Sequence, residues 1–186
     1  MSSFLRISIV SALLLVPAAA FAQAGGSLEA RHHAAAAHDS HAMDHTQALY
    51  HHAQAHVSPA SPLDREVAAE HVRAQSEELA AAQRHVDAEE RAMTDEQRAS
   101  QRAHLDAIRA AHAEAMTHQH ALEVEVARPA PDPRVVAEHA AAENRAMQRA
   151  HEAHEAMGHD LGVPAVVVVP AAPAPHGPPP RPAPHH

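Results

Sequence analysis

Between Leu63 and Ala127 the chain contains neither glycine nor proline. A stretch with no helix breaker over that distance spans about 95 Å as one helix, or folds back as two antiparallel helices of about half that length. Two start signals favour the second arrangement. Ser61-Pro62-Leu63-Asp64 offers a hydroxyl cap, a proline at the first helical position and a carboxylate in the first turn. Thr94-Asp95-Glu96-Gln97 has the pattern of a capping box, which predicts a chain break near Met93 and Thr94. The apolar spacing agrees. Val72, Leu79, Val86 and Met93 recur at heptad intervals with Ala68 and Ala82 between them, and Leu105, Ile108, His112, Ala115, Gln119 and Leu122 step by three and four.

A further helix is bracketed by Asp132 as cap and Pro133 in the first turn. Val136, Ala140, Met147, Ala150, His154 and Met157 form its inner face, and Gly158 suits a left-handed terminating residue. The expected fold class is therefore all-α: a long antiparallel helical hairpin plus one more helix, together a helical domain over residues 62–158. Residues 23–61 read as a flexible His-rich N-terminal arm, in part helical. Residues 159–186 read as a disordered tail rich in Pro, Val and His, with Val166 to Val169 its one apolar run. "HVDAEERAM" at 85–93 and "HAAAENRAM" at 139–147 are similar, as Ala- and Glu-rich helices easily become.

Residues 1–22 have the form of a secretory signal peptide: Arg6, an apolar run from Ile7 to Val16, and the small-x-small site Ala20-Phe21-Ala22. A periplasmic or secreted address follows, with no membrane span after cleavage, because nothing later approaches the ~20 apolar residues that a spanning helix needs. Cysteine is absent, which excludes disulfides and thiolate ligands. Beyond residue 22 the only aromatic side chain is Tyr50, so the core must be thin and close-approaching helices suit it better than a globule. Alanine-lined seams favour pairing between chains as a homodimer. A formal charge of −9 makes nucleic acid a poor partner at neutral pH, while 21 histidines titrate near pH ~6.5 and reverse the sign in mild acid.

Histidine carries the chemistry. Eight histidines fall between His32 and His56, and on a helix His38, His41, His45, His52 and His56 would form a nearly continuous stripe, with Met43 and Asp44 in the same turns. Imidazole suits Zn(II), Cu(II) and Ni(II), so the stripe reads as a ladder of divalent-metal sites of graded affinity. His151, His154 and Glu155 offer a second ligand set, with a spacing that departs from the His-Glu-x-x-His zinc-protease pattern. His112, His118 and His120 are weaker candidates. A compositional bias is the alternative source of the histidines, since all 14 basic residues are arginine and none lysine. No nucleophile elbow or phosphate-cradling glycine loop is present, and the chain is not expected to be an enzyme.

The stretch Met93-Thr94-Asp95-Glu96-Gln97-Arg98, opening an Ala- and Arg-rich helix, resembles the Leu-Thr-x-x-Gln motif of the Spy/CpxP family of periplasmic stress chaperones and heavy-metal resistance proteins. The resemblance covers roughly residues 62–158, with Met93 in place of the leucine, and a second copy of the motif is absent. It implies a dimerising helical hairpin, unfolded periplasmic proteins or a membrane sensor as partners, and metal binding in some members. The leading expectation from the sequence is a helical protein binding divalent metal for resistance, buffering or sensing. The alternatives are a stress chaperone of the same architecture and a largely disordered surface protein with no specific ligand.

Overall fold

The computed structural model describes residues 27–57 and 61–164. The leader expected over residues 1–22 and residues 165–186 of the expected tail lie outside the described residues, while residues 159–161, expected to begin that tail, belong to the last helix. Five helices follow one another: α1 (Leu28–Ala55), α2 (Arg65–Ala92), the short α3 (Asp95–Ser100), α4 (Arg102–Val126) and α5 (Pro133–Leu161). There is no strand among the described residues, and the all-α expectation holds.

Each boundary has a local cause. Asp64 caps α2 by accepting from the Glu66 and Val67 amides, three residues beyond the expected Ser61. The Thr94 side chain accepts from the Gln97 amide while the Gln97 side chain accepts from the Thr94 amide, so the residues that carry the family resemblance form a reciprocal capping box. Asp132 accepts from the Arg134 amide with Pro133 next to it, as its position predicts. The end of α5 differs from expectation. Gly158 is buried inside the helix, and Gly162, at φ 70°, is the left-handed residue that closes it.

The four long helices form an antiparallel bundle in which α1 packs on α2 and α5, and α4 on α2 and α5. The N-terminal segment thus differs from a flexible arm: α1 is a full member of the bundle. Its buried stripe, His32, Ala35, Asp39, Ala42, Thr46, Leu49 and Ala53, has the same three-and-four spacing as the other seams, but polar residues at three of its positions hid it in the sequence.

Alanine and a few larger residues fill the core in three clusters. Val86, Met93, Leu105, Ile108 and Met157 pack with Ala35 at one end. Ala42, Leu79, Ala115, Ala146 and Met147 occupy the middle. Leu49, Leu63, Val72, Leu122, Val126 and Val136 close the other end with several alanines. All the seam residues expected on α2, α4 and α5 are buried. Two sets of polar side chains interrupt this core. Thr46, Gln75, Gln119 and Glu143, one from each long helix, lie a step beyond the middle cluster. The second set lies on the other side of it.

Candidate metal centre

His32 and Asp39 stand seven residues apart on α1, which places both on the face turned to the bundle axis. Glu89 on α2, His112 on α4 and His154 on α5 meet them there, all buried. The five form one continuous chain of contacts. His32 Nδ1 lies 2.8 Å from Glu89 Oε1, and His154 Nε2 lies 3.5 Å from Glu89 Oε2. His154 Nδ1 lies 2.8 Å from Asp39 Oδ2, and His112 Nε2 lies 2.8 Å from Asp39 Oδ1.

The electrostatics follow from this arrangement. Burial alone would raise the Asp39 carboxyl, but hydrogen bonds from His112 and His154 outweigh it and hold Asp39 below its ordinary value. Burial likewise raises the Glu89 carboxyl, and its ion pairs with His154 and His32 outweigh that and lower it. Burial opposes a charge on His154, yet the two carboxylates overcome that cost and raise its pKa to about 9. Asp39 therefore fixes the ring of His154 through Nδ1 and turns Nε2 toward Glu89, as outer-shell carboxylates do for metal-binding histidines.

Two atoms in this chain lack a hydrogen bond. Glu89 Oε2 and His154 Nε2 are both buried and face each other across the 3.5 Å gap without hydrogen-bond alignment. His32, Glu89 and His154 present ligand atoms that all lie within 4.8 Å of one another. A divalent ion held at ~2.0–2.1 Å from nitrogen and oxygen ligands separates those ligands by about 3 Å, so these groups could hold an ion after small movements. Two imidazoles and one carboxylate leave coordination positions open. Gly158 supports the arrangement by what it lacks: a Cβ there would stand 2.5 Å from His32 Nε2.

A second group lies toward the surface between α1 and α2. His38 Nδ1 is 2.6 Å and His41 Nδ1 3.8 Å from the same Glu78 oxygen, Oε2. These three also bring ligand atoms within 4.8 Å of one another. The His85 ring stacks on His38, with centroids 5.0 Å apart and planes 19° apart. Burial, then the neighbouring His38, lowers the pKa of His85.

The residues expected as one stripe on α1 fall into separate neighbourhoods. His38 and His41 share Glu78, whereas His45 sits beside His71 of α2, with ring centroids 6.0 Å apart. His52 and His56 pair at 4.8 Å near the α1–α2 connection, where their ring nitrogens approach the Asp64 and Ser61 carbonyl oxygens. The expected trio of His151, His154 and Glu155 does not assemble. His151 Nε2 lies 3.5 Å from Glu155 Oε1 on the outside, with Glu155 69% exposed, while His154 is fully buried and bonded to Asp39. Successive helical residues point about 100° apart, so His154 and Glu155 cannot reach one ion.

The sequence reading missed His32, Asp39, Glu89, Glu78 and His85. For Asp39 and Glu89 a signal exists: each is an acid at a seam position, and a charged residue is almost never fully buried unless paired. His112 was placed correctly in its seam, but its partner on α1 could not be identified from spacing within α4. Comparison of the chain with protein-family models, curated proteins and solved structures finds no match.

Proposed function

We propose that this protein binds a divalent transition-metal ion, Zn(II), Cu(II) or Ni(II), inside its helical bundle through His32, Glu89 and His154, in the service of metal resistance, buffering or sensing. One observation carries the reading: His32, Glu89 and His154 meet in the core with ligand atoms within 4.8 Å of one another, and Glu89 Oε2 and His154 Nε2 share only a 3.5 Å ion-pair contact without an aligned hydrogen bond. An ion bridging them would replace that long contact with direct bonds to both groups. In the metal-free protein the proton on His154 balances part of the carboxylate charge, so binding must release it. The client-shielding alternative has less support, because among the described residues only three large apolar side chains, Val67, Met116 and Val124, are exposed.

Equilibrium dialysis of the full chain against Zn(II) tests the proposal. The expected result is an ion retained by the wild type and by His151→Ala and Glu155→Ala, and lost from Glu89→Gln, which removes one ligand charge while keeping the shape of the side chain. Equal retention by wild type and Glu89→Gln would refute the assignment.

A further inference from the structure

We infer that His38, His41 and Glu78 form a separate, surface-accessible metal site that captures the ion and passes it by way of His85 to the buried centre. The inference rests on the reading of His32, Glu89 and His154 as the ion's final position and concerns how the ion gets there.

The two groups differ in exposure in the way that capture and storage require. The side chains of His32, Glu89 and His154 are at most 7% exposed, so an ion in water meets none of them directly. Those of His41, Glu78 and His38 are 58%, 27% and 21% exposed, so they meet solvent while still being held together. Glu78 supplies the negative charge and the two imidazoles supply neutral donors, a mixed set that suits borderline divalent ions.

One further imidazole, His85, stands between the two groups along α2. His38 is six residues, about 9 Å of helix rise, from His32 on α1. On α2, His85 is seven residues from Glu78 and four from Glu89, so the three occupy one side of the helix with His85 in the intermediate position. His85 stacks on His38, which places an imidazole of α2 against the capture site while its own helix leads one turn on to Glu89. Arg31, whose guanidinium donates to the Ala88 carbonyl at 3.3 Å, sets a positive charge over the same turn.

Rapid mixing of the chelator-stripped full chain with Co(II), followed by the visible absorption of the bound ion, tests this. Glu78→Gln and His41→Ala are the informative capture-site variants, the second at an exposed position that leaves the core untouched. His85→Phe keeps the stacking and removes the donor. Each is expected to slow loading by at least about tenfold, the scale of lost electrostatic capture, with the final bound fraction unchanged. Loading by Glu78→Gln and His41→Ala at the wild-type rate would overturn the capture site, and wild-type speed in His85→Phe would overturn the route. Loss of one bound ion without slowing would show an independent second site and also overturn the inference. If the wild type takes up no ion at all, the parent reading fails first, a result separable from the kinetic one.

Discussion

The bundle contains two polar layers, on opposite sides of the middle core cluster, and they solve the problem of buried charge differently. In the layer of Asp39, His112 and His154, with Glu89 and His32 attached, acids alternate with imidazoles and each carboxylate receives at least one 2.8 Å contact. In the layer of Thr46, Gln75, Gln119 and Glu143, both Glu143 oxygens, both polar atoms of the Gln75 amide and the Gln119 oxygen lack hydrogen-bond partners. There burial raises the Glu143 carboxyl to about 8, and the Glu123 charge adds to it. The first layer keeps its charges by pairing them, and the second avoids charge by holding a proton. A layer with paired charges and two open ligand atoms can accept a cation. A layer with one neutral acid and amides cannot, since nothing in it would balance an ion.

Breaking the paired layer should produce the largest effect. Asp39→Ala removes the acceptor of both His112 and His154, and a loss of about 3–5 kcal/mol in urea unfolding at pH 7 is expected, the range for breaking a buried pair. An unchanged midpoint would mean that the layer is not charged as described. The other layer should respond in the opposite direction. Replacing its unsatisfied pair with apolar groups, Gln75→Leu with Glu143→Met, is expected to be neutral or to stabilise the fold by up to about 4 kcal/mol in the same assay. A destabilised double variant would show that Gln75 and Glu143 are better satisfied than their geometry indicates.

Gly158→Ala tests the support beneath the paired layer. Its methyl group would collide with His32, so a loss of about 1–3 kcal/mol is expected, together with weaker Zn(II) retention in dialysis. Wild-type stability and retention together would show that His32 can yield without cost.

The pH dependence separates the layers without a large change in either. Glu143 keeps its proton when folded up to about 8, whereas an unfolded carboxyl loses it near 4.5. The folded state therefore binds the extra proton between those values, and stability falls as pH rises through that window. His154 keeps its proton up to about 9 when folded, so its contribution is complete below ~6.5, the ordinary histidine value, and is lost as pH rises toward 9. Each group contributes a slope of up to about 1.4 kcal/mol per pH unit within its window. In chelator-treated protein, Glu143→Gln should abolish the decline between about 5 and 6.5, lessen it between about 6.5 and 8, and leave the decline above about 8 that belongs to His154. A flat wild-type profile would contradict both assignments.

Much of this architecture was legible in the sequence, and the reason is periodicity. The seam of α4 was readable residue by residue from Leu105 to Leu122 because helical spacing repeats locally, and the Thr94–Gln97 box and the Asp132–Pro133 start act through neighbours in the chain. The same logic failed on α1. His38, His41 and His45 make a conspicuous stripe, but what decides their surroundings is α2, which brings Glu78 to the first two and His71 to the third. Asp39 and His32, the residues of α1 that face the axis, look ordinary between histidines and alanines.

The sequence alone determined the helical class, the absence of thiolate ligands and the abundance of imidazole. Those depend on which residues are present and how they repeat over a few turns. Only the tertiary structure decided which imidazoles meet which carboxylates, since His32 and Glu89 are 57 residues apart and Asp39 and His154 are 115. A candidate ligand set assembled from three helices has no signature within any one of them, and its geometry is set by which faces the packing turns inward.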